Sequence, residues 1–127
     1  AHQKIEEAIT LYLSLIDAQP FSDEVPQLLM KVGDLYNFSL NQPAKASQTY
    51  QRIAVLYPTT DWAFKALLKK AELFFATESY DEALRAYQTL LFNFPNHPNR
   101  WLYRYQLGVC HLRLTATSGY QRTFSDS

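Results

Sequence analysis

Ser79-Tyr80-Asp81-Glu82-Ala83-Leu84-Arg85-Ala86-Tyr87-Gln88-Thr89-Leu90-Leu91-Phe92-Asn93-Phe94-Pro95 is the stretch on which the fold turns. Ser79 and Glu82 stand at the S-x-x-E spacing of a capping box, in which hydroxyl and carboxylate satisfy free N–H groups at a helix start. Ala83, Tyr87 and Leu90 follow at intervals of four and three, which puts them on one helical face. Pro95 closes the helix, because the residue before a proline resists the helical conformation.

Moving outward, the same pattern recurs. Ala46, Tyr50, Ile53 and Pro58 repeat it, and so do Ala8, Tyr12, Leu15 and Pro20. A second pattern lies between these copies: thirteen residues after each proline comes a small residue, Gly33, Ala71 or Gly108, and three further on a ring, Tyr36, Phe74 or His111. Two of the three glycines in the chain occupy this slot. A glycine inside a helix costs about 1 kcal/mol against alanine, so its use there implies close helix–helix approach. The repeating unit is therefore helix A, a turn, helix B and a proline-marked turn, with a period of 38 residues and then 37.

These signals predict an all-α chain of roughly six helices in the order B-A-B-A-B-A. The expected spans are about 3–19, 24–40, 43–57, 60–77, 79–94 and 99–115. Pro43 and Pro98 suit first turns, and Ser22 or Asp23 and Thr59 or Thr60 suit N-caps. The organisation expected is the second helix of a truncated repeat over 1–20, full repeats over 21–58 and 59–97, and the first helix of another over 98–115. Residues 116–127 read either as a Ser/Thr-rich tail or as the start of a further helix, with Gly119-Tyr120 echoing Ser79-Tyr80.

Val32-Gly33, Tyr36, Ala46, Tyr50 and Pro58 resemble the tetratricopeptide repeat, as do Ala71, Phe74, Tyr80, Ala83, Tyr87 and Pro95, and then Leu107-Gly108. The resemblance covers residues 5–114 and implies a right-handed solenoid of antiparallel helix hairpins that serves as a protein–protein interaction scaffold. The usual period is about 34, so this is a long-period variant. Ile53-Ala54-Val55-Leu56-Tyr57-Pro58 and Phe94-Pro95-Asn96-His97-Pro98-Asn99 are similar to bacterial outer-membrane assembly lipoproteins and periplasmic cell-division coordination proteins of this type. That similarity implies a periplasmic or outer-membrane-associated setting. No lipid-attachment cysteine is expected, since Cys110 falls deep in a helix.

Helical spacing assigns an inward stripe to each A helix. It comprises Gln27, Met30, Asp34 and Asn37, then Lys65, Leu68, Glu72 and Phe75, then Leu102, Tyr105, Val109 and Leu112. The stripe runs from polar to apolar, which predicts an apolar partner segment anchored on Phe75 and Tyr105. The alternative is that Leu102, Val109 and Leu112 pack against a following helix. The clamp for chaperone tails that the resemblance brings to mind needs lysine and asparagine where Met30, Asp34, Leu68 and Glu72 stand, so that partner class is not expected. Trp62 and Trp101, near the starts of A helices, read as staples on the turns rather than ligand contacts.

Other chemistry finds no support. Lys plus Arg and Asp plus Glu each total 12, so there is no basic stripe for RNA, which stays a remote alternative. A self-associating array through open solenoid ends is the nearer one. The histidines, His2, His97 and His111, are scattered. His111 reads as a core ring and His97 as a capping or solvated turn residue. Cys110 and His111 are adjacent on a helix and point about 100° apart, which rejects a thiolate–imidazole pair. Asp81-Glu82 and Glu6-Glu7 suit helix N-termini. No enzyme activity, metal or cofactor is expected, and no apolar run reaches the ~20 residues of a membrane span.

Overall fold

The computed structural model describes the backbone of residues 2–126 and the side chains of residues 2–116. Its helices are α1 (His2–Ala18), α2 (Val25–Asp34), α3 (Pro43–Leu56), α4 (Asp61–Ala76), α5 (Tyr80–Asn93) and α6 (Arg100–Asp126), with a π-helical turn at Leu35–Ser39. There is no strand among the described residues. The all-α reading is correct, and the helices pack as hairpins, α2 against α3 and α5 against α6. Two compact units divide the chain, one up to Lys70 and one from Ala71, so that α4 contributes to both.

In the first unit the repeated pattern does what its spacing implies. Ala46, Tyr50 and Ile53 are fully buried on α3. A β-carbon added to Gly33 on α2 would lie 2.6 Å from Tyr50 Cε1 and 2.9 Å from its Cδ1. No side chain fits there, so glycine at this position is the condition for the α2–α3 packing. In the second unit Ala83, Tyr87 and Leu90 are buried on α5 in the same way, each large aliphatic contributing about 1.5–3 kcal/mol by leaving water.

The longer first period has a local cause. Gly33 precedes Ala46 by thirteen residues, whereas Ala71 precedes Ala83 by twelve. The additional residue falls where the chain turns π-helical, with the Leu40 N–H donating to the Leu35 carbonyl at 2.9 Å. A π turn carries one residue more than an α turn, so the insertion is absorbed there and Tyr50 still meets Gly33. The expectation of one unbroken helix over 24–40 is corrected accordingly.

Helix ends show which caps are made. The Thr60 Oγ1 accepts the Ala63 N–H at 3.2 Å, as expected. Ser79 is the N-cap of α5 but makes no side-chain cap bond, so the proposed capping box does not form. Its Oγ lies 3.4 Å from the Thr77 hydroxyl instead. At α2 the N-cap is Glu24 rather than Ser22 or Asp23, and the Ser22 hydroxyl accepts the Glu24 N–H at 3.3 Å. Asn41, Thr59 and Glu78 each take a positive φ in the turns, a conformation uncommon for residues other than glycine.

Two regions depart from the pattern. On α1 the buried residues are Ile9 and Ile16, while Leu15 is 49% exposed. This helix packs on α2 and the π turn, and its buried face is turned by one residue. Tyr12 is half-buried against the cluster of Ile9, Val32 and Leu40. On α6 Gly108 and His111 are exposed, and a β-carbon on Gly108 would meet nothing within 4 Å. Neither a close helix crossing nor a core ring exists there, because no element packs over that face among the described residues. The backbone of α6 runs on to Asp126, past the helix end expected near residue 115, so neither a tail nor a separate helix begins there. The side chains from residue 117 onward, Gly119-Tyr120 included, lie outside the described residues.

Candidate functional site

The A-helix stripe is dealt out differently in the two units. In the first, Met30 is buried at 7% exposure and belongs to the core. Asp34 is engaged by its own unit: the Tyr50 hydroxyl donates to its Oδ1 at 2.6 Å, and Lys69 Nζ lies 3.0 Å from both oxygens. The pair is about one-third exposed and ties α2, α3 and α4 together. Asn37 is half-buried within the π turn, and Leu68 is half-buried on α4. Lys65 is exposed, with its ammonium 5.5 Å from the centre of the Trp62 ring.

In the second unit, Glu72 is exposed and Phe75 half-buried. Phe75 packs edge-on against Tyr80 at 5.5 Å between ring centres, and the Arg113 guanidinium lies 5.8 Å from the centre of the same Tyr80 ring. Tyr105 is 64% exposed, Leu102 38% and Leu112 71%, with Val109 half-buried between them. Leu102, Tyr105, Val109 and Leu112 are spaced three, four and three apart, a single stripe along α6. Beneath it Tyr103 and Cys110 face inward, both buried.

Titration behaviour follows burial. The Tyr87 hydroxyl is pushed up to about 12, first by burial and then by the charges of Glu72, Cys110 and Tyr103. Burial pushes the Cys110 thiol up as well, which disfavours the nucleophilic thiolate. Cys110 is fully buried while His111 is exposed, so the two do not form a reactive pair. The His97 Nδ1 accepts the Asn99 N–H at 3.1 Å, a capping role within its turn. No group of three metal-ligating side chains occurs among the described residues, and none of their helices is long and apolar enough to cross a membrane.

Two cavities of the first unit were not anticipated. One, of about 420 Å³, lies between the α1–α2 and α3–α4 turns and is walled by Phe21, Tyr57 and Trp62. The other, of about 320 Å³, has Leu13, Leu29 and Val32 at its base and Lys45 and Arg52 at its edge. Trp62 shares the first cavity with Leu56 and Tyr57 from the end of α3, in keeping with a staple on that turn. Trp101 is 68% exposed. The sequence signal for the first cavity was aromatic residues beside the turn prolines, Phe21 after Pro20 and Tyr57 before Pro58.

Comparison with known proteins agrees with this architecture. Residues 27–60 match one family model of the tetratricopeptide repeat, and residues 68–116 match another. No curated protein matches the chain. The first match contains Gly33 pressed against Tyr50, and the second contains the buried Ala71, Ala83 and Tyr87. With two such matches spanning more than half of its length, and with the helix hairpins they describe, the chain is a tetratricopeptide-repeat protein.

Proposed function

We propose that this chain is a non-catalytic scaffold that holds an apolar segment of a partner protein along α6, in the concave groove that the resemblance assigns to the A helices. Repeats of this family generally mediate protein–protein interaction. The observation that carries the reading is the stripe of Leu102, Tyr105 and Leu112, large apolar side chains left in water on one helix face. Contiguous exposed apolar surface marks interaction sites, and an aromatic residue amid aliphatics is the usual anchor. Asp34 and Met30, occupied by their own unit, then act as support rather than as contacts. A bacterial cell-envelope setting is part of the proposal and rests on the resemblance of the two proline-turn phrases.

The test is capture of the partner by wild type and by a Leu102→Ala/Tyr105→Ala double variant. Loss of at least about tenfold in affinity is expected, with the thermal midpoint of the Tyr105→Ala single variant unchanged because Tyr105 is 64% exposed. Undiminished capture overturns the assignment. A self-associating array is the second reading, favoured by the open space over Gly108, where an aromatic of another copy has room. Sedimentation as a monodisperse monomer removes it.

A further inference from the structure

We propose that the cavity between the α1–α2 turn and the α3–α4 turn receives a basic side chain, arginine or lysine, presented by a protein partner. This site is separate from the α6 stripe and does not depend on it. Its volume, about 420 Å³, falls in the range of roughly 300–1,000 Å³ typical of ligand clefts. Three rings wall it, those of Phe21, Tyr57 and Trp62, and the only charged residue lining it is Asp23. Asp23 has no ion-pair partner among the described residues. Phe21 is 96% exposed, a large ring held in water beside a cleft it would close on an occupant.

The surrounding charge points the same way. Between Lys4 and Lys31 the chain has no basic residue but carries Glu6, Glu7, Asp17, Asp23 and Glu24. From Ile53 to Phe64 the single charged residue is Asp61, with Arg52 and Lys65 at the two ends of that stretch and the Lys65 ammonium over Trp62. An acidic occupant is repelled by this edge, and a purely apolar one leaves the Asp23 carboxylate without a counter-charge. A guanidinium or ammonium satisfies both features, because aromatic faces attract cations and a carboxylate pairs with them. Trp62 already does so within the molecule, with the Lys65 ammonium 5.5 Å from its ring centre.

The experiment is an NMR titration of the isotope-labelled chain with acetyl-Gly-Arg-Gly-amide, and with its citrulline counterpart, which has the same shape and no charge. The arginine peptide is expected to shift the Trp62 indole N–H and the Ser22 and Asp23 amides. Citrulline, and separately Asp23→Asn, are each expected to weaken binding by about fivefold, the combined scale of an exposed ion pair and a cation–π contact. Phe21→Ala is expected to weaken it as well, and its exposure leaves folding untouched. If the citrulline peptide binds as well as arginine, if Asp23→Asn binds unchanged, or if none of these resonances moves at millimolar peptide, the proposal is overturned.

Discussion

Gly33 and Gly108 hold the same slot of the first and third A helices, one turn before an aromatic or histidine, and their surroundings are opposite. Gly33 is pressed by the Tyr50 ring so closely that a β-carbon would sit 2.6 Å from it. Gly108 faces open space. The neighbouring residues divide likewise: Tyr36 is half-buried and His111 exposed. A motif position therefore states which face of a helix is suited to a crossing. Whether a crossing occurs depends on the element brought there.

The largest expected effect breaks this comparison directly. Gly33→Ala should destabilise the protein by about 1–3 kcal/mol, since Tyr50 is fully buried, its hydroxyl is held by Asp34 and the ring has nowhere to go. Gly108→Ala should be neutral or stabilising by up to about 1 kcal/mol, because a helical glycine is replaced in open space. Denaturant unfolding of the two variants measures the gap, and equal effects would refute the contrast.

A smaller effect sharpens the comparison of the two tyrosines in the buried slot. Tyr50 donates to Asp34, which Lys69 neutralises, whereas Tyr87 lies near Glu72 and is raised to about 12. The folded state therefore keeps the Tyr87 proton above the usual tyrosine value of 10.0. Its contribution is complete below pH ~10 and lost as pH rises from there through about 12, on the order of 2 kcal/mol in all. Stability measured from neutral to strongly alkaline pH should fall more steeply in wild type than in Tyr87→Phe; parallel curves would exclude this role.

The smallest effect concerns the starts of the B helices. A working capping box would make Ser79→Ala cost about 1 kcal/mol. Without a side-chain cap at Ser79, the cost should stay below about 0.5 kcal/mol. A loss near 1 kcal/mol in thermal unfolding would restore the box.

Much of the architecture was legible because helical periodicity is local. Ala46, Tyr50 and Ile53 on α3 and Ala83, Tyr87 and Leu90 on α5 were read from spacing and are buried. The π turn was visible only as one extra residue in the first period, since spacing counts residues and cannot say how a turn accommodates them. The site was less legible. Met30 and Asp34 share helical spacing with the stripe, yet one is core and the other is tied to Tyr50 and Lys69. Phe21 and Trp62 are distant in sequence and share a cavity through the packing of two turns, a juxtaposition that no local pattern encodes.

The amino-acid order alone determined that this chain is helical, where its turns fall and which small residues permit close packing. Backbone hydrogen bonding, proline geometry and side-chain spacing act over a few neighbouring residues. Tertiary structure decided that Leu15, Gly108 and His111 face water, that Asp34 is paired, and that Phe21, Asp23, Tyr57 and Trp62 line one cavity. Burial and pairing belong to the partner surface as much as to the residue, and that surface exists only once the helices have packed.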